Sequence, residues 1–221
     1  MKIVSYNIHH CSQAKVDKLL ATDADVFIVP ELSSKAHIRL PMGYDMFWFG
    51  DKRYDKKGLG VIFNIKHNCK ISDYFNSVYE FILPIKCDDI IILAMWPTKT
   101  ANNKTKSYQQ IAIEALQEYL KYFGDNKILI CGDFNCYVGQ PGKHSIEDIF
   151  GLLKSYDIYS IYHSMYNEQL GKETSSTFYF RFDISKPFFI DYAFSNFKIE
   201  HFEIAKWDRS ISDHRALIIQ I

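Results

Sequence analysis

Asp133 and Asn135 follow the apolar run "NKILIC", with Gly132 before them and Phe134 between them, as "GDFN". Where a strand ends, two side chains at alternate positions can both face one site while the residue between them turns into the protein. The placement recurs along the chain. Asn7 interrupts the end of "KIVSYNI", Glu31 ends "DVFIVPE", Asp191 interrupts "PFFIDYAF", and Asp213 and His214 directly precede "RALIIQI". A single acid at a strand end is usually turn or cap chemistry. Several carboxylates, two amides and an imidazole, all at ends or interruptions of core strands, are costly to desolvate unless a cation or hydrogen bonds compensate them. Oxygen donors of this kind suit a hard ion, Mg²⁺ or Mn²⁺, and no Cys/His cluster at ligand spacing points to a zinc catalyst.

The elements that would position these residues are strands. Eleven apolar runs rich in Val, Ile and Phe read as strands: 2–8, 25–31, 43–49, 58–64, 78–86, 89–96, 126–133, 176–182, 187–194, 198–204 and 215–221. That is too many for one doubly wound sheet and fits two packed sheets. Three- and four-residue spacing of apolar side chains predicts a helix over 104–123, with Gly124 as its stop. Shorter helices are predicted at 13–21 and, with Ser145 as N-cap, at about 145–154. The polar stretches 51–57, 98–107, 137–144 and 163–175 read as loops. The fold class is α/β (α+β), a sandwich of two mixed sheets flanked by helices.

The 221 residues carry 26 Lys plus Arg against 26 Asp plus Glu, so any hold on a polyanion must come from local patches. With 48% hydrophobic residues, the chain can bury a core without disulfides or structural metal, and one domain over 1–221 is expected. Five cysteines and an opening strand pattern in place of a secretion signal read as an intracellular, cytoplasmic protein with reduced thiols. No apolar run is long enough for a membrane span. No obligate protein partner is indicated. His9 and His10 read as solvated loop residues.

The motifs "SYNI", "PEL", "GLGVIF", "GDFN", "IDYAF" and "SDHRAL", in this order and spacing, resemble those of the endonuclease/exonuclease/phosphatase superfamily, the exonuclease III and pancreatic-deoxyribonuclease type. The match runs from Asn7 to His214. The resemblance implies a four-layer sandwich with its active site at one edge and Mg²⁺-dependent cleavage of phosphate esters. It implies Glu31 as principal metal ligand, with Asn7 and Asp213 completing that shell. Asp133 would orient or deprotonate the attacking water, Asn135 would hold the water or a phosphate oxygen, and Asp191 would fix His214, a donor to a phosphate oxygen. The chemistry agrees with these roles, since charge growing on phosphoryl oxygens needs a cation and aimed donors, and a carboxylate beside an imidazole favours its protonated form. The sequence departs from the family after "IIILAMW": where an Asn or His is usual it has "PTKT", with Thr98 as the nearest substitute.

For substrate, nucleic acid is the first expectation and a small-molecule or inositol phosphate the alternative. Lys52, Arg53 and Lys104 lie in the two locally basic loops, 51–57 and 98–107, and Trp96, like Tyr54, could offer a base a flat face.

Overall fold

The computed structural model describes residues 1–50 and 55–221. The chain builds two six-stranded mixed sheets. The first contains β1 (Lys2–Ser5), β2 (Val26–Leu32), β3 (Tyr44–Gly50), β4 (Gly58–Asn64), β13 (His201–Ile204) and β14 (Leu217–Gln220), in the order β13-β14-β1-β2-β4-β3. The second contains β5 (Cys69–Ile71), β6 (Ile82–Cys87), β7 (Ile90–Met95), β8 (Lys127–Asp133), β9 (Tyr159–Ser160) and β12 (Asp191–Ser195), in the order β5-β6-β7-β8-β12-β9. A two-residue ribbon, β10 (Phe178–Tyr179) with β11 (Pro187–Phe188), stands apart from both.

Period-two alternation assigns each strand its two faces. In β2, Val26 and Ile28 join the larger core with Ile92, Ile130 and Phe194 of the second sheet. Phe27 and Val29 point the other way, onto Val16 and Leu19 of α1 (Gln13–Leu20). Helices α2 (Tyr108–Phe123) and α3 (Ile146–Lys154) add Leu116, Tyr119, Ile149 and Leu153 to the larger core. The result is the helix-flanked two-sheet sandwich expected from the strand count.

Several details differ from expectation. The long helix begins at Tyr108, not 104, because the Ser107 side chain accepts from the Gln110 N–H (3.2 Å) and caps it there. The run 176–182 is a strand only at Phe178–Tyr179; the backbone then turns through left-handed Arg181 and Phe182 (φ 55° and 58°). The stretch 163–175 is loop only after a short helix, α4 (Ile161–Tyr166), whose Tyr162 packs on Phe189. The thiols are not all free: Cys69 and Cys87, directly opposed on β5 and β6, form a disulfide, while Cys11, Cys131 and Cys136 remain as thiols. A pairing 18 residues apart becomes visible only once the hairpin register is known. Among the described residues, no helix is long and apolar enough to cross a membrane.

Candidate active site

The strand ends β1, β2, β8 and β12 converge. Asp133 closes β8 and pairs in register with Asp191, which opens β12. Gly132 precedes it because β7 passes so close that a Cβ there would lie 1.8 Å from the Met95 carbonyl oxygen. After Asp133 the chain turns: the Asn135 N–H donates to Asp133 Oδ1 (2.9 Å), and Asn135 takes a left-handed φ of 54°, which Asn tolerates better than most residues. Phe134 points inward against Tyr192 and Phe194. The Asn135 amide donates to the Pro97 carbonyl (3.2 Å), which brings the segment carrying Thr98 alongside.

Asp133, Asp191 and His214 are buried together. His214 Nδ1 lies 2.9 Å from Asp191 Oδ2, its Nε2 lies 3.9 Å from Asp133 Oδ2, and Asn7 Nδ2 donates to Asp133 Oδ2 (3.0 Å). Burial alone would lower the His214 imidazole, but the charges of Asp191 and Asp133 and the bond to Asp191 outweigh it and hold it up at about 9. Burial pushes the Asp133 carboxyl up; His214 opposes this and Asp191 adds to it. The three residues offer ligand atoms all within 4.8 Å of one another, a set that could hold a metal ion.

Glu31 sits at a bulge. The register of β2 against β4 slips between Pro30 and Leu32, and Glu31 takes a left-handed φ of 65°. Such a bulge re-aims one side chain of a strand. Glu31 Oε2 accepts from the His10 N–H (3.2 Å), and Oε1 lies 3.3 Å from Lys57 Nζ. Burial would raise this carboxyl, but the Lys57 ammonium and the His10 N–H hold it below its ordinary value.

His10 is exposed, as expected, but His9 is half-buried and both residues contact the cluster. The His9 N–H donates to Asn7 Oδ1 (3.0 Å), His9 Nδ1 lies 3.3 Å from Asp213 Oδ1, and the His10 N–H reaches Glu31. Two consecutive left-handed residues (φ 42° and 59°) thus tie Asn7, Asp213 and Glu31 to one turn. Lys15 Nζ steadies it by donating to the carbonyls of Ile8 (2.8 Å) and His9. Burial lowers the His9 imidazole despite the Asp213 charge.

Two positioning residues escaped the sequence reading. Thr177 is fully buried, and its Oγ1 accepts from the N–H groups of both Ile190 and Asp191 (3.0 Å each), while its carbonyl accepts from the Arg215 N–H (2.7 Å). It therefore holds the backbone of Asp191 and that of the residue after His214. Ser212 Oγ donates to the Asn7 carbonyl (2.6 Å) and accepts from the His214 N–H (3.0 Å). Hydroxyls in "STF" and "ISDH" carry no signal of such contacts until the strands are assembled.

The proposed substrate contacts fare unevenly. Trp96 is buried, its ring centroid 4.9 Å from that of Phe81 and 5.3 Å from Nζ of Lys57, the partner of Glu31. Lys104 is exposed, Thr98 is half-buried with its carbonyl accepting from Asn103 Nδ2, and Lys106 pairs with Glu114. Lys52 and Arg53 lie outside the described residues, as does Tyr54.

No family model and no curated protein matches the sequence. Solved structures do match over nearly the whole chain. The endonuclease domain of TRAS1, a telomere-specific non-LTR retrotransposon, superposes with a TM-score of 0.64 at 13% identity, covering 100% of this chain and 97% of that one. An endonuclease/exonuclease/phosphatase family protein from Bacteroides thetaiotaomicron gives 0.60 at 15% identity, covering 99% and 96%. Truncated Caenorhabditis elegans TDP2 gives 0.64 at 10% identity, covering 99% and 95%. The chain has the fold of the endonuclease/exonuclease/phosphatase superfamily.

Proposed function

We propose that this chain is a divalent-metal-dependent phosphoester hydrolase, and foremost a nuclease cutting phosphodiester bonds of DNA or RNA. The observation that carries the reading is the buried Asp191–His214 pair, 2.9 Å between Oδ2 and Nδ1, set beside Asp133 and linked through Asn7 and the His9–His10 turn to a separately held carboxylate, Glu31. Shared fold with an endonuclease domain supports it, as does the order of the motifs.

The donor set fits a hard cation. Glu31 is largely buried yet faces an ammonium at 3.3 Å, so the position beside it already accommodates positive charge. Glu31, Asn7 and Asp213 would hold the ion through oxygen, and His214, whose Nδ1 is engaged by Asp191 and whose environment favours its protonated form, would not ligate. Bound there, the cation would stabilise negative charge on phosphoryl oxygen. His214 presents Nε2 as a donor to a non-bridging oxygen, with Asp191 holding its orientation. Asp133, raised by burial, is suited to take a proton from the attacking water, and Asn135 holds that water or a phosphate oxygen.

A second reading, a phosphatase or phosphodiesterase of small-molecule or inositol phosphates, gains from the pairing of Lys106 with Glu114, which subtracts from the surface expected to grip a polyanion. Purified protein with Mg²⁺ or Mn²⁺ should be tested on single-stranded, duplex and abasic DNA, RNA and inositol phosphates. Cleavage of nucleic acid that His214→Ala abolishes supports the first reading; turnover confined to inositol phosphates replaces it with the second; no turnover of any of them refutes both.

A further inference from the structure

A cavity of about 390 Å³ opens beside the cluster, walled by His10, Cys11, Ser12, Ser33, His37, Ile38 and Lys56. It begins where the cluster ends, since the His10 N–H is bonded to Glu31 and Ser33 lies two residues past it. Among the described residues, none of those lining it carries a carboxylate. Its polar lining is mostly of residues that can donate: Lys56, His10, His37, and Ser12, which sits at the N-cap of α1 without making a cap bond. At its edges, Asp55 Oδ1 lies 2.7 Å from His37 Nε2 and Glu31 accepts from the His10 N–H.

The walls are also fixed in place. The Ser33 hydroxyl donates to the Lys56 carbonyl (2.9 Å), and the Ser34 N–H donates to the Asp55 carbonyl (2.7 Å), which fastens this backbone to the end of β2. His10 is set by the Lys15-braced left-handed turn. Ile38 and Cys11 supply an apolar side. A pocket near 400 Å³ with one apolar wall is larger than a bare anion needs and fits a phosphate with its attached ring.

We propose that this cavity receives a second, uncleaved phosphate of the substrate, with Lys56, His10, His37 and Ser12 as its donors. The proposal rests on the hydrolase reading for what is cleaved, and on the cavity alone for what is bound. Its chemistry is a phosphate one ring away from the scissile one, whether the neighbouring phosphate of a polynucleotide or the second phosphate of a polyphosphorylated cyclitol.

The first test needs no turnover. Imidazole ¹H–¹⁵N spectra of the metal-free full chain are recorded with pyrophosphate at constant ionic strength. The His10 and His37 signals should move saturably, and Lys56→Gln should weaken that binding about tenfold, about 1.4 kcal/mol. Shifts no larger than sodium chloride produces, or shifts that Lys56→Gln leaves intact, would overturn the proposal.

The second test uses Mg²⁺ and two substrate pairs: a thymidine dinucleotide with and without a terminal phosphate, and an inositol bisphosphate with its monophosphate. The extra phosphate should lower KM in one pair, identifying the source. Lys56→Gln should erase that advantage and leave kcat on the singly phosphorylated member unchanged. No KM advantage in either pair, or one that survives the substitution, counts against the cavity. Loss of all turnover with the pyrophosphate shifts intact would refute the hydrolase reading and uphold the anion site.

Discussion

Asp133 and Asp191 stand directly opposite one another in the antiparallel register of β8 and β12, two buried carboxylates on neighbouring strands. Like charges so placed repel. His214 offsets this, bonded to Asp191 through Nδ1 and 3.9 Å from Asp133 through Nε2, while Asn7 and the Asn135 N–H each donate to Asp133. The three residues are one electrostatic unit.

That unit should make the metal-free protein's stability depend on pH. His214 is held up at about 9 from an ordinary value of 6.5, so its stabilisation is full below about 6.5 and is lost as pH rises through about 9. The raised Asp133 works in the same direction at lower pH. Urea midpoints measured in chelator should therefore fall between pH 6.5 and 9 and fall less in His214→Gln. A midpoint that rises over this range would contradict the assignment.

Asp191 and His214 should act as a pair in turnover. Asp191→Asn and His214→Gln should each lower kcat on a chromogenic phosphodiester by about 10²–10⁴-fold. The double variant should be little worse than the poorer single one, because each change already disables the shared donor. Losses that add in log rate would show that the two act separately.

Thr177 should be replaceable by Ser but not by Val. Valine keeps the shape yet leaves the buried N–H groups of Ile190 and Asp191 without their acceptor, a cost of about 1–3 kcal/mol. Thr177→Val should lose stability by that amount in urea melts and lower kcat more than it changes KM. Thr177→Ser should stay close to the parent in both. Equal behaviour of the two variants would remove the hydroxyl from the account.

Glu31 should govern cation affinity. Glu31→Gln should weaken Mg²⁺ or Mn²⁺ binding at least tenfold by calorimetry, about 1.4 kcal/mol or more. The fold should tolerate it, since Lys57, its partner, is exposed and such pairs contribute roughly 0–1 kcal/mol. Unchanged affinity would move the cation site to the Asp133, Asp191 and His214 set.

Much of this was legible in the residues themselves. Alternating apolar runs state which side chains are buried, and a polar residue that ends such a run is conspicuous because desolvating it needs compensation; Asn7, Glu31, Asp133, Asp191 and Asp213 stand out for that reason. Those patterns are local, with periods of two or of three to four residues, and they identified the two-sheet sandwich. Contacts between distant segments have no local pattern. The bulge that re-aims Glu31, the register that sets Asp133 against Asp191, and the opposition of Cys69 to Cys87 exist only once strands are paired. The same holds for Thr177, whose hydroxyl finds its donors thirteen and fourteen residues away, and for Trp96, whose ring the assembled core claims. Sequence determined which groups must be compensated; tertiary structure decided what compensates each, because hydrogen bonds and charge pairs act over a few ångströms and only folding brings their partners within that reach.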